Sequence, residues 1–399
     1  MSLYAYPPVW AFRSALRGHA ARWQRQELLS PDQLARIEAS YPLDFYRPAW
    51  PLRAGLFLFT WFGLAMAVGT VLLLTNGSPV AAGVLCCIGC IAVLELLIRE
   101  RRFYRCGIDN ALLYAGLSAA IGLIFYAYTN VEWSDNLQRA LDPRNGWPLL
   151  PLLLTLGLLI AAVVRYADPL IAAAAVVVGL LLAALFALQF SAGAALLPFL
   201  LMAVAGGGVV LRRVLVRRLA KSYTADYYAG CLTTLKVLAL VAFYLAGNYL
   251  LVREGNAALL HQYPSGQIPF AFVFYALTAG VPVLYIVLGL RRADRPMLLI
   301  GIAALGFSFF TLRYYHSVMP PEIAALVAGL AFTVAAGLLI KAMRPSRWGY
   351  TSLADDEPRH FNFENLVQAQ TAHVPDAPVG PAFEFGGGSS GGGGATGQF

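Results

Sequence analysis

The feature that most constrains this chain is a series of ten apolar runs, each about as long as a membrane-spanning helix. A bilayer core about 30 Å thick is crossed by roughly 20 apolar residues in helical conformation. We place the spans at 54–75, 79–98, 109–128, 148–164, 169–188, 192–211, 230–252, 268–290, 296–312 and 321–342. Ser78, Asp109 and Asp168 lie at the starts of the second, third and fifth spans, where each can cap a helix. The sequence therefore predicts an all-α, polytopic integral membrane protein with about ten transmembrane helices.

Composition excludes the soluble classes of protein. Of the 399 residues, 59% are apolar and 13% are charged, and the mean hydropathy is +0.64. A soluble chain typically carries about 25% charged residues. The net charge of +8 is typical of arginine-rich cytoplasmic loops. No nucleic-acid recognition motif accompanies it, so we expect no nucleic acid as a partner.

The placement of Lys and Arg predicts the orientation in the bilayer. If the N-terminus is inside, the outside loops hold only four of the 29 Lys and Arg residues, namely Arg139, Arg144, Arg253 and Arg313. By the positive-inside rule both termini are then cytoplasmic, which agrees with an even number of spans. The composition indicates a bacterial inner (plasma) membrane.

Residues 1–52 are predicted to form a cytoplasmic helical head. Residues 9–28 can form a basic helix, and Ser30 followed by Pro31 is typical of the start of a second one. The resulting hairpin either lies against the membrane surface or docks on the protein's own cytoplasmic loops.

The rest of the chain divides into a transmembrane domain, 53–344, and a cytoplasmic tail, 345–399. The tail is polar, Pro-rich and ends in a glycine-rich run, so we predict that it is disordered. Two outside loops, 130–147 and 253–267, have room for short interfacial helices. The inside loop 212–229 is predicted to extend the sixth span as a basic helix.

Two charged residues fall within the predicted spans. Glu95 lies one turn from the inner end of the second span, and Lys236 lies about two turns from the inner end of the seventh. A buried charge costs roughly 2.5–3.5 kcal/mol on insertion scales, so a partner is expected. At similar depths, the two residues are predicted to pair. The two residues form a gate or proton-coupled site, or they form a structural ion pair, or both groups snorkel to the inner surface.

A second polar group is predicted toward the outer face. Tyr244 and Asn248 lie on the seventh span, and Arg313 and His316 lie at the end of the ninth. One interpretation is an outward-facing polar cavity in which Arg313 attracts an anion. The other is the aromatic belt of the membrane interface with a snorkelling arginine.

Enzyme motifs are largely absent. The chain has no zinc-protease helix motif, nucleophile elbow, Walker loop or dinucleotide fingerprint. Cys86, Cys87 and Cys90 cluster in one apolar run, where thiolates are disfavoured, so we interpret them as small packing residues. We expect no catalytic residue, no metal and no cofactor.

Two segments carry resemblances to known families. The head, above all LLSPDQLARIEASYP at 28–42, followed by many short spans, resembles an uncharacterised family of bacterial multi-pass membrane proteins. The tail FEFGGGSSGGGGATGQF resembles the Gly-rich ends of bacterial TPM-domain membrane proteins, although the soluble TPM domain is lacking. That resemblance implies a cytoplasmic partner that reads the tail.

Two functions remain open from the sequence. The first is a non-catalytic membrane subunit or scaffold that engages partners through its head and tail. The aromatic tail residues that we expect to bind such a partner are Phe361, Phe363, Phe383, Phe385 and Phe399. The alternative is a secondary transporter for a small solute, anionic or lipid-like, with a polar site between helices. A membrane-embedded transferase is less favoured, because no acid–base constellation is visible.

Overall fold

The computed structural model describes residues 3–132, 146, 148–220 and 222–315, with scattered positions between 323 and 341. This part of the chain is all-helical. Its helices are α1 (Pro8–Arg25), α2 (Pro31–Ser40), α3 (Trp50–Leu74), α4 (Pro79–Arg101), α5 (Ile108–Glu132), α6 (Leu149–Tyr166), α7 (Pro169–Ala187), α8 (Gly193–Leu219), α9 (Thr224–Gly247), α10 (Tyr249–Leu260), α11 (Ala271–Arg291) and α12 (Arg295–Tyr315). Among them, α3 to α9, α11 and α12 are long and apolar enough to cross a membrane.

The predicted helix starts are formed by side-chain caps. Ser30 and Gln33 form a capping box at α2, each side chain accepting a hydrogen bond from the other residue's backbone N–H. The Ser78 hydroxyl accepts from the third residue of α4, and the Asp168 carboxylate accepts from two backbone N–H groups of α7. These caps satisfy backbone donors that have no partner within the helix.

The structure corrects the bounds of the seventh span. The predicted helix 230–252 ends at Gly247, because Asn248 takes an extended conformation and caps a new helix, α10. The short helix predicted in 253–267 therefore begins earlier, at Tyr249. The basic extension of the sixth span is confirmed up to Leu219.

Successive spans pack antiparallel, so their ends meet at two faces. We call the face at which α4, α6, α8 and α11 end the head face, because α1 lies there, and the opposite one the far face. Helix α9 is central and packs against α1, α7, α8, α10, α11 and α12. Helix α3 packs mainly against α5 and α4, and none of its residues is buried.

Glycines allow α11 and α12 to approach closely. A Cβ atom on Gly301 would lie 2.9 Å from the backbone nitrogen of Ile286, and one on Gly289 would lie 2.8 Å from that of Leu298. Small residues at such contacts are typical of helix packing in membranes, where dispersion contacts replace the hydrophobic effect.

The head packs against helix ends and the segment before α9, which agrees with the second predicted placement, docking on the protein's own loops. The backbone N–H of Ala5 donates to Arg165 O at 2.9 Å, and the Phe12 and Tyr223 rings meet edge to face at 5.1 Å. Within the head, Arg13 pairs with Asp44 at 2.5 Å. The position of α1 is thus fixed by contacts with α6 and α9.

Three predicted features lie largely or wholly outside the described residues. They are the tenth span at 321–342, most of the outside loop 130–147, and the tail at 345–399 with its phenylalanines.

Candidate functional site

Glu95 and Lys236 do not pair with each other, so that prediction is wrong. The Glu95 carboxylate, on α4, accepts two hydrogen bonds from Arg165 at the end of α6. The Arg165 Nη2 and Nε atoms lie 2.7 and 2.8 Å from Glu95 Oε1. The Tyr166 hydroxyl donates to the same oxygen at 2.8 Å, and Arg99 lies 3.7 Å away. The charge of Glu95 is therefore neutralised at the head face by Arg165 and Arg99, which lie just outside the predicted spans.

Lys236 takes a different carboxylate. Its Nζ donates to Asp294, which lies in the turn between α11 and α12, and Lys236 itself is only 8% exposed. The other Asp294 oxygen accepts from the backbone of Met297 at 3.2 Å and so caps α12. Burial by itself would raise the pKa of Asp294. The bonds from Lys236 and Met297 outweigh it and hold the pKa below its ordinary value.

Two further carboxylates, which the sequence did not indicate as a site, are buried at the head face. Asp109 is fully buried and accepts hydrogen bonds from the Tyr6 hydroxyl at 2.8 Å and from the Arg105 backbone at 2.6 Å. Burial, and then the charge of Asp109, raise the pKa of Tyr6 well above its ordinary value. Tyr6 thus stays protonated and anchors the N-terminal segment to α5.

The second buried carboxylate, Asp168, lies next to the first. It accepts from Asn110 Nδ2 at 2.8 Å and from the Tyr114 hydroxyl at 3.0 Å. The Asn110 backbone in turn donates to Asp109 at 3.0 Å, so Asn110 links the two carboxylates. We call Tyr6, Asp109, Asn110, Tyr114 and Asp168 the head-face network. Their only signal in the sequence was the position of both acids at helix starts, where they were interpreted as caps.

Next to this network, three further side chains cover the end of α6. The last carbonyls of a helix have no partner within it. Here Tyr227 donates its hydroxyl to Arg165 O, Tyr228 donates to Val164 O at 2.6 Å, and Arg105 Nη2 donates to Ala167 O at 2.8 Å. These bonds join α5, α6 and α9 at a single point below the head.

The predicted outer polar group is only partly assembled. Tyr244 donates to Ala304 O at 2.8 Å, and Asn248 bonds the Tyr244 hydroxyl at 3.0 Å and Thr311 at 3.1 Å. Tyr244 is 4% exposed and Asn248 is fully buried, so these two residues join α9 to α12 and do not line an outward-facing cavity. Arg313 lies half-buried in the last turn of α12, and His316 lies outside the described residues.

A separate cluster at the far face clamps α10, and we call it the far-face clamp. The Arg253 guanidinium lies 4.4 Å from the centre of the Tyr315 ring and donates to Ser265 O at 2.6 Å. Glu254 accepts from the Tyr315 hydroxyl at 2.5 Å and the Ser265 hydroxyl at 2.8 Å. These two bonds, together with Arg253, lower the pKa of Glu254.

Beside this clamp lies an apolar cavity of about 620 Å³. Its walls come from α7, α8, α9, α10 and the start of α11, and nearly all of its lining side chains are apolar. A shallower depression runs along a single face of α4 and includes Glu95 and Arg99. Because one helix forms it, it encloses nothing.

No group of three or more His, Cys, Asp or Glu residues in the described part is placed to hold a metal ion. The cysteines of the described residues form no disulfide bond. The sulfur atoms of Cys86 and Cys90 lie 3.8 Å apart on one face of α4. Comparison of the chain with protein families, curated proteins and solved structures finds no match.

Proposed function

We propose that this protein is a non-catalytic integral membrane subunit or scaffold that engages partners through its head and tail. The observation that carries the proposal is the state of the buried charges. Glu95 is bound by Arg165, and Lys236 is bound by Asp294. A transport pathway or proton relay needs charged groups that face a water-filled cavity, whereas these groups are bound within the protein.

The docked head also supports a scaffold. Helix α1 is held by α9, while α2 has no buried residue and leaves most of its surface free. Arg13 and Arg17 join the two helices through Asp44 and Glu38. A rigidly placed but exposed α2 is suited to binding a cytoplasmic protein without ordering cost at the moment of binding.

In this proposal the protein lies in a bacterial inner membrane with both termini on the cytoplasmic side. The head is the first binding element and the tail at 345–399 is the second. Tail aromatics separated by Gly and Pro are typical of segments that order on a partner. The support for this orientation is the Lys and Arg placement in the sequence.

The test is purification from native membranes in mild detergent, with cross-linking mass spectrometry. The full-length chain is compared with a chain ending at Pro345, and with a full-length chain whose five tail phenylalanines are replaced by Ser. A chain lacking only the glycine run 386–394 is the matched control. We expect stoichiometric partners on the full-length and control chains, and their loss from the other two.

A protein that purifies alone in every preparation contradicts the proposal. In that case the transporter becomes the better hypothesis. The apolar lining of the cavity beside α10 then favours a lipid-like solute over an anionic one.

A further inference from the structure

The cavity beside α10 has the shape of a site within a membrane leaflet. Its wall on α8 runs from Ala194 to Leu201, which at 1.5 Å per residue is about 10 Å of depth below the far face. Half of a bilayer core is about 15 Å thick. Since α8 is one of the apolar spans, the cavity lies at the depth of lipid tails.

The cavity is open to its surroundings. Leu245 and Leu251, which line it, remain 38% and 40% exposed, and Phe270 at its rim remains 62% exposed. Leu245 lies within the last turn of α9, so the opening reaches membrane depth.

The walls leave space because small residues form much of them. Ala194, Ala195, Ala242, Ala246 and Gly255 line the cavity from three helices. The enclosed volume falls within the roughly 300–1,000 Å³ of small-molecule pockets.

Helix α10 is fixed on its other side, so the cavity is preformed. Positions 251, 255 and 259, together with 252 and 256, form one helical face toward the cavity. Beside that face, Tyr249 donates to Gln267 at 3.1 Å and stacks on Tyr275 at 4.0 Å. The far-face clamp adds the bonds of Arg253 and Glu254. The wall that α10 contributes is therefore already ordered, and the entropic cost of ordering it when a ligand binds is small.

The polar lining residues are uncharged. Ser191, in the turn between α7 and α8, and Asn256, on α10, lie toward the far face, where headgroups begin. A free fatty acid would bring a carboxylate to this rim. The nearest cation on α10, Arg253, points to Tyr315 and Ser265 on the opposite side.

We propose that this cavity binds one acyl chain of a bilayer phospholipid, whose glycerol-ester oxygens take hydrogen bonds from Ser191 and Asn256. The site would hold a lipid in a fixed position between α8 and α10. This inference depends on membrane embedding alone and is independent of the partner binding proposed above.

The test uses a phosphatidylcholine that carries a diazirine on one acyl chain. Full-length protein is reconstituted in vesicles of phosphatidylcholine and phosphatidylglycerol with this probe, irradiated and mapped by mass spectrometry. We expect adducts to concentrate on α8, α9 and α10. Ala246→Phe should lower the adduct yield by at least about fivefold, because the larger side chain projects from the wall and occupies space that the acyl chain would fill.

Two further variants distinguish an effect of filling the cavity from an effect of misfolding the protein. Ala195→Phe fills the cavity from α8 at an exposed position that tolerates a larger side chain, and it should lower the yield in the same way. Ala67→Phe, at an exposed position of α3, should leave the yield unchanged. Adducts on α8 and α10 that are no denser than those on α3, or that survive both cavity variants in folded protein, would overturn the proposal. So would labelling by a diazirine fatty acid but not by the phosphatidylcholine.

Discussion

Helices α3 and α9 have nearly the same length and are both strongly apolar, yet they occupy opposite positions. Helix α3, with 25 residues, has no buried residue. Helix α9, with 24 residues, buries nine and contacts six other helices. Hydropathy alone therefore does not tell which span lies in the centre, because lipid tails are as apolar as leucine.

The polar residues make the difference. Thr60 and Thr70 of α3 donate their hydroxyls to backbone carbonyls of the same helix, at 2.7 and 3.1 Å, and so need no neighbour. Lys236 and Tyr244 of α9 have side chains that only other elements satisfy. In a bilayer, a polar group that cannot bond within its own helix draws that helix to the centre.

The largest expected effect comes from breaking the ion pair of α9. Lys236→Met takes the bonded cation away from the partly buried Asp294 and should lower the free energy of unfolding by about 3–5 kcal/mol. Lys236→Met combined with Asp294→Asn should recover most of that loss, because Asn keeps the cap of α12. The measurement is SDS-induced unfolding in mixed micelles. Thr60→Val on α3 is the matched control, and a single variant as stable as this control would contradict the assignment.

The second effect concerns the end of α9. Asn248→Leu removes the cap of α10, so the backbone N–H of Leu250 loses its acceptor, and it takes one bond each from the Tyr244 hydroxyl and Thr311. Leaving buried polar groups unsatisfied costs about 1–3 kcal/mol, and we expect a loss of that size in the same assay. Asn248→Ser keeps a capping oxygen and should lose less. Equal losses would show that the cap does not contribute.

A smaller effect should appear with pH at the far-face clamp. The pKa of Glu254 is lowered from its ordinary value of 4.5 in the folded protein. Its contribution to stability is therefore fully present above that value and is lost as the pH falls below it. Melting temperatures measured from pH 6 to pH 3 should fall more steeply for the parent protein than for Glu254→Gln. Parallel curves would exclude this contribution.

The smallest expected effect is on α3. Phe59 is 77% exposed, so Phe59→Leu should change the free energy of unfolding in micelles by less than about 0.5 kcal/mol. If α3 instead packs on a partner in the native membrane, the same change lowers partner recovery in the cross-linking experiment. A large loss of stability in the isolated protein would contradict the exposed position of Phe59 on α3.

Local features of this fold were predictable from sequence, and distant pairings were not. Ser30, Ser78 and Asp168 cap helices as predicted, because a cap depends on residues that are close in sequence. The need of Glu95 and Lys236 for partners also followed from their depth. The partners themselves, Arg165 and Asp294, lie 70 and 58 residues away, just outside the predicted spans.

The head-face network was missed for the same reason. Asp109 and Asp168 each had a sufficient local explanation as a cap, so nothing in the sequence indicated that Asn110 joins them. The break at Asn248 was missed because the apolar pattern continues through it into α10. Apolar periodicity does not register a change in helix direction when both helices are apolar.

The docking of the N-terminal segment has a consequence for synthesis. This segment leaves the ribosome before the long helices, yet its contacts are with Asp109, Arg165 and Tyr227, which are synthesised later. The contacts with Asp109 and Arg165 become possible once α5 and α6 have been made, and the contact with Tyr227 only when the start of α9 has been made. A fully docked N-terminal segment therefore marks a chain in which α3 to α8 have already been synthesised.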